Sequence, residues 1–245
     1  MQGIWANNEN TKMLNKIIKK FTKLVDIENK EILKFIKDFS KKCKNEEKLL
    51  DAGAGEMPYK KYFPQTDYES CDFCKLDEYR YKVDFTCDLQ NIPRENETYD
   101  TILCTQVLEH VPEPQKVINE FHRILKKQGK LFLTVPQGWK LHQEPYHFFN
   151  YTSYGIKYIA EKAGFKVIYI KEKGGYFKMM ASRISYSSPF YLKHLKGLKA
   201  IFVLPFFAIH SLIFSIIIPF LVYHLDFLDK EKKYTLGYGI YCEKK

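Results

Sequence analysis

Leu49-Leu50-Asp51-Ala52-Gly53-Ala54-Gly55-Glu56-Met57-Pro58 reads as a short apolar strand that ends in an acid, turns through two glycines and enters a helix at a proline. An α/β fold builds a nucleotide-like cofactor site this way. Gly53 and Gly55 remove the side chains that would hold a ligand off the backbone, and Pro58 has φ preset for a first helical turn. What the stretch lacks narrows the ligand. A dinucleotide loop wants a third glycine where Pro58 stands, and a phosphate loop wants Gly-Lys-Ser/Thr. Asp51 would repel a pyrophosphate; a cofactor with a cationic amino group fits it better.

The elements that follow alternate strand and helix, which predicts a doubly wound α/β sheet. Asp67–Asp72 reads as a second strand ending in an acid about 20 residues past the loop, the spacing at which a carboxylate reaches a ribose diol. Asp72 is the choice there, with Asp67 and Glu69 as competitors. Val83–Leu89 gives a third strand, Tyr99–Thr105 a buried fourth, and Lys130–Pro136 a fifth. A helix carrying Val117, Ile118, Phe121, Ile124 and Leu125 lies between the last two and stops at Gln128-Gly129. Lys166–Ile170 and Tyr238–Cys242 supply a sixth and a seventh.

Four pieces carry a family resemblance: Leu50-Asp51-Ala52-Gly53-Ala54-Gly55, Asp88-Leu89-Gln90-Asn91-Ile92-Pro93, Gln106-Val107-Leu108-Glu109-His110-Val111-Pro112, and Arg123-Ile124-Leu125-Lys126-Lys127-Gln128-Gly129-Lys130-Leu131. In this order they resemble class I S-adenosylmethionine (SAM) methyltransferases, type 11-like, over roughly residues 48 to 170. The resemblance implies a seven-stranded Rossmann-like sheet with SAM as cofactor; no metal is expected. It places Asp51, Gly53 and Gly55 at the methionine part, Asp72 at the ribose, Asp88 and Leu89 at the adenine, and Gln106 among the cofactor-binding residues. The alternative for Asp51 and Asp88 is simple capping of the segments after them.

Transfer of a methyl group to a hydroxyl benefits from a base of near-neutral pKa, which histidine supplies. His147 and His142, in the loop His142-Gln143-Glu144-Pro145-Tyr146-His147-Phe148-Phe149, are the leading candidates. His110, after the fourth strand, reads more as a partner of its own turn. That loop, with Asn150-Tyr151-Thr152 and Glu161-Lys162-Ala163-Gly164-Phe165 after it, is similar to bacterial methyltransferases of surface-polysaccharide and glycolipid assembly. The similarity implies a glycan or lipid-linked acceptor.

From Ala200 to Tyr223 no residue is charged. As one helix this would be about 36 Å long, enough for a hydrocarbon core of about 30 Å. A crossing conflicts with pairing of the sixth and seventh strands in one sheet. The expectation is therefore a monotopic insert that enters one leaflet and returns, broken near Pro205, His210 or Pro219. Lys193, Lys196 and Lys199 before it and Lys230, Lys232 and Lys233 after it would meet headgroups; an apolar hairpin buried in protein or across a homodimer is the alternative.

The domain reading is an N-terminal helical cap over 1–46, a SAM-binding core over 47–175, an apolar insert over 176–234 and a closing strand over 235–245. The cap rests on two apolar series at helical spacing, Leu14, Ile17, Ile18, Phe21 and Leu24, then Ile32, Leu33, Phe35, Ile36 and Phe39. At 245 residues and 45% hydrophobic the chain can fill one sizeable core. The six cysteines read as reduced core thiols, and Cys71-Asp72-Phe73-Cys74 is half a zinc site with no second half. With no secretory apolar run at its start, the chain is expected at the cytoplasmic membrane face. The net charge of +10 comes from dispersed lysines without an RNA-binding motif, so nucleic acid is not the expected partner. Three functions remain: methylation of a glycan or lipid-linked hydroxyl, methylation of a hydrophobic small molecule such as an isoprenoid quinone, and a non-catalytic SAM-binding scaffold.

Overall fold

The computed structural model describes residues 26–73, 82–187 and 206–245. The chain divides into two compact units. The larger comprises residues 31–173 and 235–245; the smaller comprises the described residues of 174–234 and those up to Lys30.

The larger unit is built on seven strands: β1 (Lys48–Ala52), β2 (Asp67–Asp72), β3 (Phe85–Thr86), β4 (Tyr99–Thr105), β5 (Leu125–Pro136), β6 (Phe165–Glu172) and β7 (Gly237–Lys244). Their order is β3-β2-β1-β4-β5-β7-β6. Pairs from β3 through β5 are parallel, and β7 runs antiparallel to both neighbours. Alternating side chains feed two cores, because successive strand residues face opposite ways. Leu50, Ile102, Leu131 and Leu133 join Val117, Ile118, Phe121 and Ile124 of helix α2 (Pro114–Ile124) and Ile156 and Ala160 of α3 (Ser153–Lys162). Leu49, Leu103 and Phe132 join Ile32, Ile36 and Phe39 of α1 (Ile27–Ser40) on the other face. Phe39 stacks on Phe132 at 4.4 Å between ring centroids. Of the expected N-terminal cap, residues 31–46 thus belong with the sheet, and the series Leu14 to Leu24 lies outside the described residues.

Three local expectations are corrected. No α-helix starts at Pro58: the chain makes only a 3-10 turn over Lys60–Tyr62, because Pro64 and the start of β2 at Asp67 leave no room for a longer helix. The third strand shrinks to Phe85–Thr86, since Asp84 turns its carboxylate to the Ser70 amide and hydroxyl at 2.8 and 2.6 Å and Asp88 accepts from the Gln90 amide at 2.9 Å. Gln128-Gly129 does not separate helix from strand. Helix α2 ends at Ile124, and Gln128, at φ 60°, sits within β5, where the pairing with β4 shifts register.

In the smaller unit, α4 (Tyr176–Ser185) packs on α5 (Ile218–His224). Asp226 accepts the Gly175 amide at 3.0 Å and the Lys178 amide at 3.1 Å, and Asp229 accepts that of Tyr176 at 2.7 Å, which caps α4. Helical structure is continuous over Phe206–Leu228. The expected break is therefore absent at His210 and Pro219, and Pro205 lies outside the described residues. Instead, Leu212–Ile217 widens into a π-helix just before Pro219, whose missing N–H and bulky ring the wider turn accommodates.

Candidate active site

Strand order reverses between β1 and β4, since β2 continues outward from one and β5 from the other. In an open parallel sheet that reversal leaves a crevice beyond the carboxyl ends of the two strands. The acid–glycine loop leaves β1 there, and Gln106-Val107 leaves β4. Gly53 has φ +78°, and a Cβ on it would lie 2.4 Å from a Val107 methyl. Both the backbone twist and the close approach of the two loops therefore require glycine. The Gly53 and Ala54 amides donate to the Cys71 carbonyl, and the Gly55 amide donates to Asp72 Oδ2 at 3.0 Å. The loop is thus tied down against the end of β2.

Asp51 is buried beneath this loop and accepts a hydrogen bond from the Tyr68 hydroxyl. Burial pushes its carboxyl up to about 7; the Tyr68 hydroxyl pulls the other way, and nearby Asp72 adds to the rise. An acid poised near neutrality ionises when a cation arrives. The structure therefore holds a latent countercharge behind a loop whose backbone is open to approach.

In front lies a cavity of about 290 Å³. Gly53, Asp88, Leu89 and His110 line it, together with Phe73 and Gln90, which the sequence reading did not single out. Val111, Pro112, Tyr146 and Phe148 complete a largely apolar far wall. Phe73 follows Asp72 and Gln90 follows Leu89, so adjacency to candidate cofactor-binding residues was the signal available for both. Asp51, Gly55, Asp72, Gln106, His142 and His147 stand off the cavity wall. Asp88 lines the cavity, and its carboxylate accepts from the Gln90 amide at 2.9 Å, the local capping that is the alternative reading. Gln106, at φ 55°, gives its side-chain amide to Thr134 Oγ1 at 3.1 Å and its backbone amide to the Thr134 carbonyl, which pins β4 to β5.

The three candidate histidines converge. Ring centroids of His110 and His142 lie 4.8 Å apart, His142 and His147 4.5 Å, and His110 and His147 5.7 Å. Hydrogen bonds stitch the loop to the turn after β4, with Phe148 N–H donating to the Glu109 carbonyl at 2.8 Å and the Tyr151 hydroxyl donating to that of Leu108 at 2.9 Å. Burial lowers the pKa of His110, as do His142 and His147, against the opposing bond to the Tyr146 carbonyl. Burial and His142 lower that of His147, against the backbone of Phe149. Both imidazoles are neutral near pH 7 and able to accept a proton. Of the three, His110 is the one on the cavity wall.

The fold and this site define a class. A methyltransferase-domain profile matches residues 25–170, and the chain belongs to that family. Its relatives include a ubiquinone biosynthesis O-methyltransferase of Coxiella burnetii, 28% identical over 85 residues, which is 34% of this chain and 33% of the relative. The chain thus matches about a third of the length of that relative. Among solved structures, phosphoethanolamine N-methyltransferase 2 of Haemonchus contortus, in complex with S-adenosyl-L-methionine, superposes with a TM-score of 0.50 at 16% identity, over 83% of this chain and 49% of that one. The cyclase SpnF superposes with a TM-score of 0.51 at 17% identity, over 85% and 79%. A cyclase on this fold shows that the sheet alone does not set the reaction.

Proposed function

We propose that this chain is a SAM-dependent O-methyltransferase whose acceptor hydroxyl is presented by a lipid surface, on a glycan or another lipid-linked molecule. The observation that carries the cofactor is the acid at the end of β1, buried and poised near neutrality behind a glycine loop at the sheet's reversal point. SAM, when bound, supplies a methyl group activated on a sulfonium. Asp51 ionises to pair with its ammonium, Asp72 accepts from the ribose diol, and Asp88 with Leu89 and Phe73 holds the adenine. The apolar far wall keeps water from the acceptor, and His110, with His142 and His147 behind it, takes up the hydroxyl proton.

The lipid surface rests on the smaller unit. Phe206–Leu228 is long and apolar enough to enter a bilayer, and 17% of its most apolar stretch is buried. Phe206, Ile209, Leu212, Phe220, Leu221 and Phe227 are exposed. In water such a stripe is unfavourable; at a membrane it is an anchor. The chain leaves the sheet at Lys173, whose amide donates to the Gly237 carbonyl at 2.7 Å, so the stretch between departs and returns at one place. A single crossing would separate those two residues by a bilayer, which favours the monotopic arrangement at the cytoplasmic face.

One observation favours a hydrophobic small acceptor such as an isoprenoid quinone: Val111, Pro112, Tyr146 and Phe148 offer apolar surface where a sugar would seek polar partners, and the Coxiella relative is named for ubiquinone biosynthesis. Incubating purified protein and membranes with methyl-labelled SAM separates the readings. Label in polar, glycan-bearing lipid supports the first and label in neutral quinone extract the second. Label in neither, with SAM bound, leaves the non-catalytic scaffold.

A further inference from the structure

Beside the cavity, Glu109, His110 and His142 each bring one ligating atom within 4.8 Å of the other two. Glu109 is buried at 1% exposure, and its Oε1 lies 4.0 Å from His110 Nε2. The hydrogen bonds decide which ring nitrogens are available. His110 Nδ1 lies 2.6 Å from the Tyr146 carbonyl, and His142 Nδ1 lies 3.0 Å from that of Lys140. A carbonyl only accepts, so both Nδ1 atoms carry the proton and both Nε2 atoms keep a lone pair. Metal-ligating histidines are held this way, with the far nitrogen donating to a backbone carbonyl that fixes tautomer and ring orientation.

His147 completes the cluster. Both of its nitrogens are sealed from solvent, and among the described residues the Phe149 backbone is the one polar group that acts on the ring by hydrogen bonding. Ring nitrogens shut off from water and so sparsely paired cost stability, and a cation shared with the neighbouring histidines would offset that. Tetrahedral coordination at about 2.1 Å sets ligand atoms roughly 3.4 Å apart. Closing from the observed spacing needs side-chain shifts in the turn after β4 and in the loop after β5, and none of the sheet.

We propose that Glu109, His110 and His142, with His147 as fourth ligand or support, form a binding site for a divalent first-row transition metal of the zinc or cobalt kind. Nitrogen-rich ligation with one carboxylate suits those ions over magnesium or calcium, which prefer oxygen. The sequence hides the site because its ligands come from two places, the turn after β4 and the loop after β5, at a spacing unlike the Cys/His pairs that mark zinc modules. The site's existence does not depend on the reaction. Its role does rest on the proposed methyl transfer: with the ion bound, the Nε2 lone pair of His110 is spent on it and that ring no longer takes up the proton, so an open coordination position facing the acceptor oxygen would replace it by favouring the deprotonated form.

The test is titration of the chelator-stripped full-length protein with Co²⁺, read by visible ligand-field bands and by calorimetry, with SAM affinity measured on the same samples. One equivalent should bind with the band intensity of a low-symmetry four- or five-coordinate site. His142→Ala should weaken it at least tenfold, and His142→Cys should retain binding with a new thiolate-to-cobalt charge-transfer band. His224→Ala, in the smaller unit, should change nothing, and circular dichroism on each variant checks that the fold is kept. Absence of stoichiometric binding, or equal binding by wild type and folded His142→Ala, overturns the site. SAM binding without Co²⁺ binding rejects the metal alone; Co²⁺ binding without SAM binding supports the metal and rejects the proposed function.

Discussion

Replacing Asp51 with asparagine separates what its charge does for the cofactor from what it costs the fold. Its carboxyl stands at about 7 in the protein against 3.8 for the free side chain. A folded-state value above the unfolded one means that the stabilising contribution is complete below about pH 4 and is lost as pH rises to about 7. The window is worth about 4 kcal/mol at 1.36 kcal/mol per unit. Asp51→Asn keeps the Tyr68 hydroxyl bonded and cannot ionise. It should therefore be more stable than wild type at about pH 8, by up to about 4 kcal/mol, and no more stable at about pH 4. SAM binding should run the other way. Its ammonium requires the carboxylate, so wild-type affinity should fall roughly tenfold per unit below pH 7, and the variant should bind weakly with no such slope. Denaturant melts across pH give the first result and calorimetry the second. Wild-type affinity that is flat between about pH 5 and pH 7, or a slope that survives in Asp51→Asn, would refute the assignment of Asp51 as the ammonium's partner.

Gly53→Ala should lower stability by about 1–3 kcal/mol and abolish SAM binding, since the residue sits at φ +78° with Val107 in the way; adding Val107→Ala should recover only the steric share, as denaturant midpoints will show. Phe39→Ala removes a ring stacked on Phe132 and edge-on to Phe63 and Tyr241, and should cost about 3–5 kcal/mol in chemical unfolding. Asp226→Ala strips the α4 cap and should loosen the smaller unit by about 1–2 kcal/mol, seen as faster proteolysis within 174–234 at unchanged SAM affinity. Phe206→Glu with Phe220→Glu should abolish flotation with anionic vesicles and leave SAM binding intact; flotation equal to wild type would reject the apolar stripe as the anchor.

Where the sequence carried a long periodic signal, it located elements to within a residue or two. Tyr99–Thr105 is a strand end to end because both its faces are buried, and a continuous apolar run is what such a strand needs. Tyr238–Cys242 pairs with β6, as the resemblance implied, and also with β5. Departures cluster where one side-chain bond outweighs propensity. Asp84 spends its carboxylate on Ser70 of β2 and Asp88 on its own turn, which shortens β3, and Pro219 is absorbed by a π-turn that no residue pattern announces. The site was legible as a set of motifs but not as a surface. Gly53, Asp88 and Leu89 share a wall with His110, whereas Gln106 bridges β4 to β5 and Asp51 lies buried behind the loop. Convergence of His110 with His142 and His147 arises from bonds between the Glu109 carbonyl and the Phe148 and Phe149 amides, which are backbone contacts invisible to side-chain reading.

The most direct test of the central claim is an experimental structure of the protein with SAM or its demethylated product. The ammonium should lie within reach of Asp51, the ribose at Asp72, the adenine between Phe73 and Leu89, and the sulfur turned toward His110. A ligand lodged elsewhere, or density in that crevice only for protein side chains at saturating ligand, would contradict it.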